Sequence, residues 1–470
     1  MPRTGVKRGP KLAIEIDHLR TSYLPGDTIT GRVIRTAQIA KAESWVCVAL
    51  YGRSKAKFAH KVGGATVIHR SRFNFFDSMP QTIHQGPMHV APEGEGAPSA
   101  WPFSITIPST MSIKALNDDE NQGAIVKGDI FLPVDADSVS QHRLPPVFFG
   151  PTKFMGKWHG YVEYYVEAQL GLARSSKDNA SVVQDWATFP LFIRLPSTPK
   201  PTIDFGLSLK NFPCSRSAYA LVPGMEEMSL RKRTKQLFRS STCPRFVYDL
   251  EVHYPTVLQL ANPNPIPLLV KVVPNLEETS DDVACFPQAV VLTEIDMELI
   301  EVTEIIITGT LGPYALRDAE NNFFGLHPIL KGASPEVVLP VGRDVESLNA
   351  GTLLQIRLGT QGVTAVSPST GKTMTMEFEH PLAPSFATHN VRCTHVLRCY
   401  LSVSVAGGTT AVVVEEPTVV IGMSEEQANR AVSELGYGGG MDAYDAELAK
   451  HGFKVGMEIG EVLGDILAST

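Results

Sequence analysis

The feature that most constrains this chain is a bend between two runs of alternating apolar and polar residues. Residues 12–17 and 28–35 each place apolar side chains at every second position, which is typical of strands with one buried face. Between them lies Tyr23-Leu24-Pro25-Gly26-Asp27. Proline presets φ for the first corner of a tight turn, and glycine accepts the positive φ that follows. This segment predicts two strands joined by a reversal at the edge of a β-sandwich.

The order of the first three strand segments resembles the opening of a known family. After the bend come a strand carrying Gly31-x-Val33 and a β-branched, aromatic strand ending in Leu50-x-Gly52-Arg53. This order resembles the arrestin family, specifically its fungal arrestin-related (α-arrestin) branch. Segments 101–108, 144–148 and 161–168 are similar to later family segments, so that the resemblance covers roughly residues 11 to 422.

Strand patterns continue through most of the chain. We predict further strands at residues 45–57, 103–107, 160–172, 186–195, 246–252, 290–295, 299–307, 353–358 and 391–405, the last closing a glycine-turn hairpin with 411–414. Residues 59–99 are expected to form a long loop or a hairpin of their own. The fold class predicted is all-β, with two consecutive immunoglobulin-like, arrestin-type β-sandwich domains. The boundaries are 11–195 for the first sandwich, 196–243 for a proline-containing connector, 244–422 for the second sandwich and 423–470 for an acidic tail.

Composition limits the classes of function. The 470 residues carry a net charge of −7, which argues against nucleic acid as a partner. Six cysteines in so long a chain are too few for a disulfide framework. No stretch reaches the ~18 apolar residues of a spanning helix, and the first residues lack the apolar core of a signal peptide. We expect a cytoplasmic protein, with peripheral attachment at the plasma membrane or endosomes as an open alternative.

A basic segment in the connector is the first candidate site. Its cations are Arg231, Lys232, Arg233, Lys235 and Arg239, and residues 228–239 contain no acid. Leu230, Leu237 and Phe238 recur at helical spacing, so one face would be apolar and the rest positive. Such a helix suits an anionic membrane surface or an acidic or phosphorylated polypeptide. The alternative is that the apolar face packs on a sandwich and the charges are simply solvated.

The tail from Ser424 departs from the strand pattern. Gln427 lies three residues after Ser424, as in a capping box, and predicts the start of a short helix. A second helical stripe, which is the candidate for docking of the tail, contains Val455, Ile459, Val462, Leu463 and Ile466. Glycines within that stripe weaken the helix, so we expect it to be ordered only when docked. The alternative is a loosely ordered tail, and we expect truncation after Gly422 to leave thermal unfolding nearly unchanged.

The sequence contains few groupings of residues suited to catalysis. No metalloprotease, nucleophile-elbow, phosphate-loop or dinucleotide motif occurs, so we expect no enzyme and no cofactor. Cys393, His395 and Cys399 would share one face of a strand, but no fourth ligand is adjacent, and we interpret them as core or edge residues. Asp135-Ala136-Asp137-Ser138 lacks the glycine and distal glutamate of a calcium loop and is interpreted as a solvated turn.

The resemblance implies a non-enzymatic adaptor in membrane-protein trafficking. Family members grip cytoplasmic tails of membrane proteins, and the fungal branch commonly recruits a HECT-type ubiquitin ligase through Pro-Pro-x-Tyr peptides. The adjacent prolines here, Pro145-Pro146, continue to Val147-Phe148, and Pro313-Tyr314 is incomplete. Recruitment of a ligase, direct or indirect, is therefore open, and the alternative is a sorting or coat scaffold that acts without one.

Overall fold

The computed structural model describes residues 7–20, 22–62, 65–78, 80–92, 96–116, 130–150, 158–172, 182–195, 197–225, 243–309, 312–330 and 336–434. The chain is all-β, and nearly all of its strands pair antiparallel. Among the described residues, no helix is long and apolar enough to cross a membrane.

The bend at Tyr23–Asp27 is confirmed. Gly26 has a φ of +93°, and the Asp27 amide donates to the Leu24 carbonyl oxygen at 3.0 Å, as in a turn with proline and glycine at its corners. The Asp27 carboxylate accepts from the Leu24 amide at 2.8 Å. The turn is therefore closed by hydrogen bonds on both sides.

In the first half of the chain, residues 7–195, the described residues contain nine strands and two short helices. The strands are β1 (Ala13–Ile16), β2 (Thr28–Arg35), β3 (Ile39–Val62), β4 (Ala65–Asn74), β5 (Gln81–Val90), β6 (Ser99–Thr106), β7 (Phe148–Phe149), β8 (Trp158–Leu172) and β9 (Val182–Leu191). The helices are α1 (Ile113–Leu116) and α2 (Ala136–Gln141). One sheet has the order β1-β2-β6, and the other is built around β3 and β8. Their inner faces share one hydrophobic cluster, so the two sheets form a sandwich.

The region 59–99 was predicted incorrectly as a separate loop or hairpin. β4 pairs with the second half of β3, from Arg53 to Val62, while β5 pairs with its first half, from Ile39 to Val48. Both strands therefore extend the main sheet. The reason is the 24-residue length of β3, which leaves room for two partners in line along one edge.

In the second half, from residue 197 onward, the described residues contain fourteen strands, four short α-helices and one 3-10 turn at Tyr219–Leu221. The strands are β10 (Leu207–Ser217), β11 (Arg245–Pro255), β12 (Val257–Gln259), β13 (Leu269–Pro274), β14 (Val290–Gly309), β15 (Gly312–Phe323), β16 (Val337–Val338), β17 (Leu348–Asn349), β18 (Arg357–Leu358), β19 (Gly362–Val366), β20 (Thr373–Glu377), β21 (Phe386–Ala387), β22 (Val391–Val405) and β23 (Gly408–Ile421). The helices are α3 (Asp281–Ala284), α4 (His327–Leu330), α5 (Ala350–Leu353) and α6 (Glu425–Glu434). A sheet of order β10-β11-β13-β17 and a larger one of order β12-β23-β22-β14-β15 enclose a second hydrophobic cluster.

The region 196–243, predicted as a connector, contributes β10, which pairs with β11 along eleven residues. Residues 353–358 were predicted to form one strand. Burial does alternate there, but Gln355 has a φ of +48°, so only Arg357–Leu358 joins a sheet.

The capping box at Ser424 is confirmed. The Gln427 amide donates to Ser424 Oγ at 3.2 Å, and the Ser424 amide donates to Gln427 Oε1 at 3.2 Å. α6 starts there, and the Glu425 amide donates to the Thr198 carbonyl oxygen at 3.0 Å. Ser424 is fully buried. Its burial revises the expectation that the chain after Gly422 is irrelevant to stability.

The two hydrophobic clusters do not divide strictly by sequence. Ile305, Ile307, Val391 and Cys393, from β14 and β22, pack into the cluster of the first half. A methyl group added to Gly160 of β8 would lie 2.5 Å from Ile305 Cγ2. The ends of β14 and β22 are thus in close contact with the sheet formed by β3 and β8. The proposed domain boundaries stay predictions.

Candidate functional site

Strands β3 and β4 form a hairpin with two chemically different faces. Successive side chains of a strand alternate between faces, and β3 carries Arg53, Lys55, Lys57 and Lys61 at alternate positions. On β4 the Cα partner of Lys55 is Arg72 and that of Lys57 is Arg70. These six cations share one face of the sheet, and we call them the basic ladder.

The ladder contains a cross-strand pair of like charge. Lys57 is half-buried and Arg70 is exposed, and among the described residues neither makes an ion pair. Burial lowers the pKa of Lys57, and the charge of Arg70 lowers it further. Like charges directly opposite one another in a sheet are destabilising. The fold therefore holds two cations close together, and a bound anion would reduce the repulsion between them.

The Glu163 carboxylate pairs with Arg53 and Lys55 at one end of the basic ladder. Arg53 Nε donates to Glu163 Oε1 of β8 at 2.5 Å, and Lys55 Nζ lies 3.7 Å from the same oxygen. Burial alone would lower the pKa of Arg53, but the Glu163 carboxylate together with Tyr165 and Tyr161 outweighs burial, and the pKa is raised. Glu163 is 1% exposed. Arg53 therefore has a fixed structural partner, whereas Lys57 and Arg70 have no ion-pair partner in the part of the chain that the structure describes.

Aromatic rings of β8 lie beside the cations. The Arg53 guanidinium lies 5.0 Å from the ring centre of Tyr165, which stacks on Tyr51 at 5.0 Å. Lys55 Nζ lies 6.0 Å from the ring centre of Tyr161. Burial lowers the pKa of His159 to about 4, and Lys57 contributes to the shift. The ladder thus combines cations with stacked rings, and the imidazole of His159 stays uncharged near neutral pH.

The opposite face of the same hairpin contacts the second half of the chain. Ser54 Oγ donates to Asn390 Oδ1 at 2.5 Å, and Asn390 Nδ2 donates to Ser71 Oγ at 2.8 Å. Nearby, the rings of His60 and His69 stack at 5.2 Å, and Tyr314 of β15 lies 4.8 Å from His69. We call this set of contacts the junction.

A histidine at the junction is fully enclosed. His389 stacks on Phe73 at 5.2 Å and is 0% exposed. Among the described residues, neither ring nitrogen has a hydrogen bond of good geometry. Burial lowers its pKa to about 4; His142 adds to the shift and the backbone at Pro133 opposes it. His389 is therefore neutral at physiological pH.

The sequence-predicted binding residues lie outside the described ranges. This applies to Arg231, Lys232, Arg233, Lys235 and Arg239 of the basic segment. It applies equally to Val455, Ile459, Val462, Leu463 and Ile466 of the tail. Both hypotheses stay predictions.

Other motifs from the sequence have definite positions. Asp135 is the N-cap of α2, accepting from the Ser138 amide at 2.9 Å, so its interpretation as a plain turn was wrong. The Pro145 carbonyl oxygen accepts from the buried Tyr164 hydroxyl at 2.8 Å, and Pro146 is buried as well. Cys393 and His395 lie in one cluster of potential metal ligands, and the third member of that cluster is Glu301, not Cys399.

Sequence reasoning missed the basic ladder, although a signal was present. Lys55-Ala56-Lys57 and Arg70-Ser71-Arg72 are both cations at alternate positions. Recognising that they oppose one another required the β3–β4 register, which was not predicted.

A groove lies on the second half, away from the ladder. It has a volume of about 420 Å³ and is lined by residues that include Ile203, Phe205, Leu207 and Pro265. Ile203 is 86% exposed and Leu207 44% exposed. The lining is mostly apolar, with Asp204 and Asn349 as its polar residues, so the groove differs in chemistry from the basic ladder.

Comparison with known proteins gives no assignment for this geometry. No family model matches the chain. No curated protein matches it either.

Proposed function

We propose that this protein is a non-enzymatic adaptor that binds an acidic or phosphorylated polypeptide segment on the basic ladder. The observation that carries the proposal is the Lys57–Arg70 pair, two like charges held opposite one another, without an ion-pair partner among the described residues. Guanidinium and ammonium groups are the usual ligands of carboxylates and phosphates. An anionic ligand would turn this repulsive pair into an attractive site.

The spacing of the ladder suits an extended polypeptide. Side chains two residues apart on a strand are separated by about 6.7 Å, which is the spacing between Lys55 and Lys57. A bound segment in extended conformation presents its own alternate side chains at the same interval. Acidic or phosphorylated residues at positions i and i+2 of the bound segment would therefore lie opposite successive cations of the basic ladder.

The position of the ladder supports an adaptor that responds to its ligand. Arg70 and Arg72 flank Ser71, and Arg53 and Lys55 flank Ser54; both serines contact Asn390 across the junction. A ligand that shifts these cations acts on the same strand segments that hold the two halves together. Binding and the junction are thus physically connected through the β3–β4 hairpin.

The cellular role proposed is membrane-protein trafficking in the cytoplasm, with cytoplasmic tails as cargo. The resemblance to the fungal arrestin-related branch supports it. Direct recruitment of a HECT-type ligase by Pro145-Pro146 is disfavoured, because these residues and Val147 are buried. The alternative is a sorting or coat scaffold. Proximity labelling separates the two, since transporters and ligases support trafficking whereas coat subunits alone support sorting.

Binding of a phosphopeptide to charge-reversed variants tests the ladder. The probes are a peptide with phosphoserine at alternate positions and its unphosphorylated form. We expect the full chain to prefer the phosphorylated peptide. Lys57→Glu with Arg70→Glu should weaken that binding at least about tenfold, or about 1.4 kcal/mol. Fluorescence anisotropy at low and moderate salt provides the measurement.

The matched control changes net charge equally at a different place. Lys41 and Lys372 are exposed, and we expect Lys41→Glu with Lys372→Glu to leave the affinity nearly unchanged. An equal loss in both double variants would mean a nonspecific charge effect and would contradict the proposal. So would binding to anionic vesicles with no binding to the phosphopeptide.

A further inference from the structure

A cluster of three potential metal ligands lies on strands β14 and β22. Glu301 is the Cα partner of His395, and Cys393 lies two residues before His395 on the same face of β22. One carboxylate oxygen, one imidazole nitrogen and the Cys393 sulfur all lie within 4.8 Å of one another. These atoms are separate from the basic ladder and from the hydrogen bonds of the junction.

The imidazole provides the evidence that the cluster is a site. The His395 side chain is 0% exposed, and its buried Nε2 atom makes no hydrogen bond to any residue that the structure describes. The Glu301 carboxylate lies 3.5 Å from Nε2. Buried polar atoms are nearly always hydrogen-bonded, so a buried imidazole nitrogen that lies 3.5 Å from a carboxylate without a hydrogen bond to it, in a cluster with a thiol, requires an explanation.

Neighbouring groups orient the potential ligands. Ser385 Oγ lies 2.9 Å from His395 Nδ1, so the ring is held by one nitrogen while the other faces the cluster. The Ala383 amide donates to Glu301 Oε2 at 3.1 Å. Supporting hydrogen bonds of this kind are what orient histidine and carboxylate ligands in protein metal sites.

We propose that Glu301, Cys393 and His395 bind a zinc ion. A carboxylate oxygen, an imidazole nitrogen and a thiolate sulfur are all ligands that zinc accepts. Ligand bonds of 2.0 to 2.3 Å, typical of zinc, place ligand atoms closer together than 4.8 Å, so a modest contraction of the cluster would complete the site. Three protein ligands leave a fourth position for water or an external ligand.

Cys399 is not a ligand of this site, although it shares a face with the other two β22 residues. It is four residues from His395, which corresponds to about 13 Å along a strand, and its Cα partner is Met297. Cys399 is buried and free, as is Cys393. It is therefore a matched control for a thiol outside the site.

Cobalt(II) and zinc(II) titrations of the metal-free full-length protein test the proposal. Cobalt bound by a thiolate shows a near-ultraviolet charge-transfer band that oxygen and nitrogen ligands do not give. We expect wild type to bind one cobalt ion with this band and zinc to displace it. Cys393→Ser should abolish the band, and Glu301→Gln should weaken zinc binding more than about tenfold.

Control variants distinguish the loss of a metal ligand from a general disruption of the fold. Cys399→Ser should retain the band and the affinity. His380→Ala removes an exposed member of the second group of potential ligands, Glu320, Glu379 and His380, and it should also leave the band in place. Circular dichroism and melting of each metal-free variant establish folding, and Glu301→Gln preserves the shape of the side chain if Cys393→Ser fails to fold.

Three outcomes would overturn the site. The first is the absence of a thiolate band in the folded wild type. The second is unchanged zinc affinity in both Cys393→Ser and Glu301→Gln. The third is a loss of the cobalt–thiolate band in Cys399→Ser as large as the loss in Cys393→Ser. That result would mean that the band does not report on Cys393 specifically.

Discussion

At the scale of single residues, two histidines are held in their neutral form. One is His159 of the first half, and the other is His389 at the junction. His389 is enclosed against Phe73 and His142, and His159 is buried beside Lys57. Burial disfavours a charged imidazole because the ion loses its hydration. Both histidines have a pKa of about 4 in the folded protein, below the ordinary value of 6.5.

This shift predicts that stability falls as the pH drops from about 6.5 to about 4. The unfolded chain binds protons at these histidines in that range and the folded chain does not, so acid favours unfolding. His389 alone contributes up to about 3 kcal/mol of this loss. We expect His389→Phe, which keeps a ring against Phe73, to reduce the pH dependence of the free energy of unfolding measured with urea.

The control for this prediction is His380→Phe, since His380 is exposed. It should leave the pH dependence unchanged. A pH dependence in His389→Phe identical to that of wild type would show that His389 is protonated without cost and is not enclosed as described.

At the scale of elements, the start of α6 is hydrogen-bonded to the rest of the fold. Ser424 is fully buried and forms the capping box with Gln427. The Gly422 carbonyl oxygen accepts from Ser197 Oγ at 2.8 Å and from Gln259 Nε2 at 3.3 Å. The start of the helix therefore shares a hydrogen-bond network with residues that precede β10.

Two truncations separate the helix from the remainder of the tail. Ending the chain after Glu434 keeps the cap and should leave the melting temperature near that of the full chain. Ending it after Gly422 removes the cap and the buried Ser424, and we expect a lower melting temperature. Loss of a cap alone costs about 1 kcal/mol. Equal melting temperatures for the two truncations would mean that α6 does not stabilise the fold.

The same scale shows how far sequence patterns determine this fold. β2 and β22 match their predicted bounds, because strict alternation and a nearby glycine turn or bend define each of them. The pattern at residues 353–358 predicted the burial of Leu354, Ile356 and Leu358 correctly. It could not predict the positive φ of Gln355, because that conformation depends on the surrounding contacts and not on alternation.

Candidate sites were harder to predict, because they depend on register between strands. The carboxylate of the proposed zinc site, Glu301, is 92 positions before Cys393, and only the β14–β22 register makes it the partner of His395. The ladder likewise depends on the pairing of Lys57 with Arg70. Alternation within one strand says which residues share a face, but it does not say which strand lies beside it.

At the scale of the whole molecule, one hairpin carries the ladder on one face and the junction on the other. The cations alternate with Ser54 and Ser71, whose hydroxyls contact Asn390 in the second half. The basic ladder is separated from the junction by a single layer of backbone. The β3–β4 hairpin is therefore central to the proposed function.

Hydrogen exchange of the full-length protein, with and without a phosphoserine peptide, tests whether the β3–β4 hairpin binds the peptide and is coupled to the junction. We predict slower amide exchange on peptide binding in residues 53–62 and 65–74, together with a change around Asn390. In Lys57→Glu with Arg70→Glu both effects should disappear. Protection confined to the groove around Ile203 and Leu207, with no change in the β3–β4 hairpin, would contradict the account.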